Sequence, residues 1–127
     1  MEPRDNPALA HALCGPDALD ELPGGDPAAR QARLGAAYSA LGAVAQALSF
    51  YQQALDAYRA ALNREGEALT LLSMGAAYGQ RGEIEAAAEA YREAAALLRQ
   101  MAMPAREARA LNRTGLLYER QGDLAAA

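Results

Sequence analysis

His11 and Cys14 stand three residues apart, close enough to share one helical face, and imidazole with thiolate is a donor pair that zinc accepts. Two ligands do not make a structural zinc site, which takes four, and the sequence holds no further histidine or cysteine to complete it. The same shortage removes nucleophilic catalysis. Ser39, Ser49 and Ser73 have no histidine in the body of the chain to activate them. Glu85 and Glu89 are paired carboxylates at helical spacing, on a helix whose outer face is expected to meet solvent. Arg109, Asn112, Arg113 and Arg120 could hold an anion, or could be a solvated helix face. No metal, no cofactor and no enzymatic activity are expected.

The charge distribution narrows the partners. The formal net charge of −4 is concentrated at the start, where Glu2, Asp5, Asp17, Asp20, Glu21 and Asp26 face only Arg4. From Ala28 onward arginines and acids nearly balance, so no basic footprint for nucleic acid exists. The opening MEPRDNPALAHAL lacks a basic region followed by an apolar run, and no segment approaches the ~20 apolar residues of a membrane span. A lone cysteine, Cys14, agrees with a reducing compartment. A cytoplasmic protein is expected, with neither membrane nor nucleic acid as partner.

Positioning any site falls to helices. Alanine supplies about half of the hydrophobic 52% and large aromatics are few, a composition for close helix packing and an all-α fold. Residues 1–26 form an acidic leader punctuated by Pro3, Pro7, Gly15, Pro16, Pro23, Gly24 and Gly25, and are expected to be partly disordered. Asp26 can then cap a helix whose first turn accepts Pro27. The pattern predicts helices over about 27–41, 44–62, 66–81, 83–101 and 104–121. Leu48, Tyr51, Leu55, Tyr58 and Leu62 recur at steps of three and four, which gives the second of these one buried stripe.

The segments LGAAYSALG, MGAAYGQRG and TGLLYERQG begin at Leu34, Met74 and Thr114, forty residues apart. Gly42, Gly82 and Gly122 follow the last periodic residue of a helix, where glycine takes a left-handed turn most easily. Gly35, Gly75 and Gly115 lie inside helices and read as packing residues, with Tyr38, Tyr78 and Tyr118 filling the wedge between antiparallel helices.

Leu71, Met74, Gly75, Tyr78, Gly82, Ala87, Tyr91 and Ala94 together resemble the tetratricopeptide repeat. The earlier copy reads Leu34, Gly35, Tyr38, Gly42, Ala47, Tyr51 and Ala54, with Gln31 where a large apolar residue is usual. A third offers Leu111, Gly115, Tyr118 and Gly122, with Thr114 in place of leucine. The period exceeds the family's usual ~34 residues by more than one helical turn, which resembles a longer-helix variety. The resemblance implies a right-handed superhelix of antiparallel helix pairs, about two and a half repeats, over 27–66, 67–106 and an incomplete 107–127.

It also implies a protein-interaction scaffold with a peptide or partner helix in the concave groove, lined by the first helix of each unit. Register gives Ala29, Ala32, Ala36, Ser39 and Ala40; then Leu69, Leu72, Ala76, Gly79 and Gln80; then Arg109, Asn112, Leu116, Glu119 and Arg120. This surface grades from small to apolar to polar and basic, and suits a partner with an apolar face and an acidic end. Ala32 and Ala36 stand where some relatives begin a clamp for a chaperone's terminal carboxylate, which argues against a chaperone-tail receptor. The alternatives are a self-association module and the regulatory arm of a larger protein. Leu111, Leu117, Tyr118 and Leu124 are read as an unpartnered stripe joining two copies as a homodimer through the C-terminal helix. The acidic leader, with DALDEL, is expected to fold back toward Arg106, Arg109, Arg113 and Arg120.

Overall fold

The computed structural model describes residues 26–126, with side chains through Gly122; the leader, His11, Cys14 and the side chain of Leu124 lie outside what it describes. Five helices follow in order: α1 (Pro27–Ala40), α2 (Val44–Ala60), α3 (Arg64–Gln80), α4 (Ile84–Gln100) and α5 (Pro104–Ala126). The fold is all-α. Each helix packs on the next, and α1 also touches α3, so helix pairs stack with their first members side by side.

Local chemistry sets the starts. Asp26 caps α1 by accepting the Ala28 amide at 3.1 Å, and Pro27 occupies the first turn. Asn63 caps α3 through the Gly66 amide at 2.9 Å, so the helix starts at Arg64, two residues before the start the pattern suggested. From α2 onward the helices begin at Val44, Arg64, Ile84 and Pro104, twenty residues apart.

The stops share one device. The amides of Ala43, Asn63, Glu83 and Met103 reach back to the carbonyls of Tyr38, Tyr58, Tyr78 and Leu98 at 2.9, 2.9, 3.0 and 2.9 Å. This bond closes the end of a helix when the residue before the donor turns left-handed. That residue is Gly42 (φ 81°) or Gly82 (φ 75°) within a pair, and Leu62 (φ 58°) or Ala102 (φ 54°) between pairs. The sequence marked only the glycines. The tertiary packing on either side imposes the same backbone on a leucine and an alanine that would not choose it alone.

Gly122 departs from expectation: α5 runs through it to Ala126 without a turn. Glycine permits a left-handed turn without requiring one, and continued helix keeps the backbone hydrogen bonds that a turn would give up.

The core is made of small residues met by a few large ones. Ala47, Tyr51, Leu55, Leu71, Met74, Ala77, Ala90 and Ala94 form the central cluster across α2, α3 and α4. Gly35 lies against the ring of Tyr51 and Gly75 against that of Tyr91, so close that a β-carbon would stand 2.7 and 2.6 Å from ring carbons. Two of the three mid-helix glycines therefore receive a tyrosine from the opposite helix, and Gly115 does not. Tyr38 instead stacks on Phe50, ring centroids 5.2 Å apart. Gly66, read from the sequence only as a helix start, is a third such contact, against Tyr58.

Candidate functional site

The first helices α1, α3 and α5 carry the residues assigned to the groove. α1 meets α3, and Gly79 of α3 approaches Leu117 of α5, so the three form a continuous surface. Exposed on it are Ala36, Ala40, Gln80, Arg109, Asn112, Glu119 and Arg120; Ala29, Ala32, Ser39, Ala76 and Gly79 are half-buried. Leu69 and Leu116 are large apolar residues left 42% and 48% exposed. Leu72 differs, for it packs against the core clusters and is only partly open. The assigned positions of α1 are all small, and Leu69 on α3 and Leu116 on α5 are the large apolar residues left open.

Ion pairs tie successive helices around this surface. Arg59 meets Glu67 at 3.0 Å, and forty residues later Arg99 meets Glu107 at 2.7 Å, each joining the end of one helix to the start of the next. The arrangement puts an acid at a helix N-terminus and a cation at a C-terminus, as the backbone dipoles prefer. Arg106 meets Glu65 at 3.3 Å across α5 and α3, so of the four arginines expected to face the leader this one is engaged. Among the described residues no ion pair engages Arg109, Arg113 or Arg120.

The C-terminal stripe divides. Leu117 is buried in a cluster with Ala87, Ala88 and Tyr91, and Tyr118 packs against the same cluster. The hydroxyl of Tyr118 accepts from Arg92 Nη2 at 2.6 Å and lies 3.4 Å from a Glu85 carboxylate oxygen. Both side chains are thus spent on α4 rather than left open, because the i, i+3, i+4 stripe they share faces the preceding helix. Among the described residues of the set Leu111 stays open, at 45% exposure, whereas Leu71 in the same register on α3 is 3% exposed. The difference arises because α4 covers that face of α3, while Gly115, the counterpart of Gly75, has nothing within 4 Å of where a β-carbon would be.

A recess of about 190 Å³ opens beside this stripe, lined by Tyr91, Arg113, Leu116, Leu117 and Arg120. Sequence register placed Leu116 and Arg120 in the groove, but not Tyr91, which belongs to a second helix and lines the recess while only 5% exposed. Burial pushes the pKa of the Tyr51 phenol above its ordinary value, a nearby Ser73 hydroxyl opposing. Tyr58 is raised by burial and by Asp26, against Arg33. Neither phenol is poised to act as an acid or base near neutrality. Among the described residues no three acidic, histidine or cysteine side chains converge as a metal would need, and no helix is long and apolar enough to cross a membrane.

Residues 28–100 match a family model described as tetratricopeptide repeat. No curated protein matches the chain.

Proposed function

We propose that this chain, which belongs to the tetratricopeptide-repeat family, holds a peptide or helix of another protein on the face formed by α1, α3 and α5. Repeats of this family mediate protein–protein interaction and are non-catalytic scaffolds. The observation that carries the finer reading is the exposure of two large apolar residues, Leu69 and Leu116, on the first helices α3 and α5. Large apolar side chains left open on such a face suit an apolar anchor from a partner.

A peptide-display selection on the full chain tests it. Enriched sequences should be lost when Leu69→Glu or Ala76→Arg places charge or bulk on the face. Enrichment that both variants retain, or none at all, overturns the reading.

Self-association is a second reading, and open Leu111 beside open Gly115 favours it. A second copy could cover this face of α5 as α4 covers that of α3. Leu111→Glu, rather than a change at buried Leu117, should then shift a dimer to monomer. A persistent 13.3 kDa species of the unaltered chain in sedimentation at micromolar concentration overturns it.

A further inference from the structure

The recess against α5 combines an apolar floor with two cations. Positions 113, 116, 117 and 120 recur at steps of three and four, which sets them in one stripe along the helix. With a rise of ~1.5 Å per residue, Arg113 and Arg120 are about 10 Å apart along the axis, with two leucines between them.

The repeat supplies an internal comparison. Forty residues earlier, the five lining positions are Tyr51, Ser73, Ala76, Ala77 and Gln80, and none carries a charge at neutral pH. Helix packing accounts for Tyr91 and Leu117, which are buried together with Ala87 and Ala88. It does not account for the arginines. Arg59, Arg81, Arg99 and Arg106 each hold a glutamate, yet among the described residues Arg113 and Arg120 hold none.

We propose that this recess is a subsite for an extended peptide segment of another protein in which two carboxylates three residues apart flank an apolar side chain. The proposal rests on the groove reading above and names the chemistry of its occupant. A chain in the polyproline-II form advances ~3.1 Å per residue with three residues per turn, so acids at positions i and i+3 project from one side about 9 Å apart and match the two arginines. Each guanidinium can take a carboxylate through two parallel N–H groups, while the side chain between settles on Leu116 and the edge of Tyr91. Glu119, exposed on the same helix, does not line the recess and leaves both arginines to the ligand.

The test is fluorescence anisotropy of a labelled octapeptide, GSDALDSG, with the full chain at 50 and 300 mM salt. Asp17, Leu19 and Asp20 of the chain carry the same pattern and would compete, so the assay is also run on Asp17→Asn/Asp20→Asn. Saturable binding that weakens severalfold at the higher salt is expected. It should fall at least tenfold with the peptide GSNALNSG, with GSDAGDSG, and with the protein variant Arg113→Gln/Arg120→Gln, whose thermal midpoint should be unchanged because both side chains are exposed. Failure of the probe to bind either form of the chain, or equal binding by the neutral peptide or by the arginine variant, overturns the proposal. If the display selection succeeds on the arginine variant as on the unaltered chain, the groove reading stands and the subsite falls. If the selection fails while the probe binds and the arginine variant abolishes it, the subsite stands without the wider groove.

Discussion

Replacing Gly115 with alanine should stabilise the chain, while the same replacement at Gly75, in the same register forty residues earlier, should not. Both glycines lie inside helices, where alanine is favoured by about 1 kcal/mol. That gain is common to the two sites. What differs is the space. At Gly115 a β-carbon meets nothing within 4 Å, so the full increment should appear. At Gly75 it would stand 2.6–2.8 Å from three carbons of the Tyr91 ring, about 1 Å inside ordinary contact. Tyr91 is 5% exposed and backed by Ala87, Ala88 and Leu117, so the ring can retreat only by displacing a close-packed cluster. Overpacking of this kind costs about 1–3 kcal/mol, which cancels or outweighs the propensity gain. For a folded body of this size 1 kcal/mol moves the thermal midpoint by about 4–8 °C. Circular dichroism melts should therefore show Gly115→Ala above the parent by that amount and Gly75→Ala at or below it. Trimming the ring with Tyr91→Leu should make the two glycines' responses converge. A midpoint for Gly75→Ala that rises as far as that of Gly115→Ala would refute the packing role of the glycine–tyrosine contact.

Gln31 has a buried side-chain oxygen with no partner among the described residues, in the register of Leu71 and Leu111. Gln31→Leu should raise stability by about 1–2 kcal/mol in urea titration, and an unchanged or lower midpoint would show that the oxygen is satisfied. Ala102, held at φ 54° by the turn between α4 and α5, should become more stable as glycine by about 0.5–1 kcal/mol, since the left-handed strain exceeds glycine's entropic cost; a loss in thermal denaturation counts against the strain. Burial raises the Tyr51 and Tyr58 phenols in the folded state, so their neutral forms are favoured by folding: stability from this source is complete below pH 10 and declines as pH rises through the folded values. Denaturant midpoints at pH 8 and 11 should differ less in Tyr51→Phe than in the parent. Neutralising Asp17 and Asp20 should tighten binding of the acidic octapeptide if the leader competes for Arg113 and Arg120, and equal affinities across a salt series would remove the leader from the groove.

Most of the architecture was set by the residues alone. Alanine content, the three-and-four spacing of leucines and tyrosines, Asp26 followed by Pro27, and glycines at 42 and 82 dictate helices of nearly the observed length, because capping, propensity and apolar periodicity act within a few residues. The forty-residue recurrence also marked Gly42 and Gly82 as turns and Gly35, Gly75 and Gly115 as helix-interior, but it marked Gly122 as a turn where α5 runs on. Tertiary structure decided everything that depends on a neighbour. Leu62 and Ala102 are ordinary residues locally, and only the packing of helices on both sides holds them left-handed. Leu117 and Leu111 are the same residue type on one helix, yet one is 6% and the other 45% exposed because α4 covers one face of α5 and nothing described covers the other. Gly75 and Gly115 share a register and differ only in whether a tyrosine faces them. The recess joins Tyr91 to residues more than twenty positions away on α5, a proximity that spacing along either helix could not reveal. Burial and partnership are sums over contacts between distant segments, so they become definite only once the helices have been set against one another.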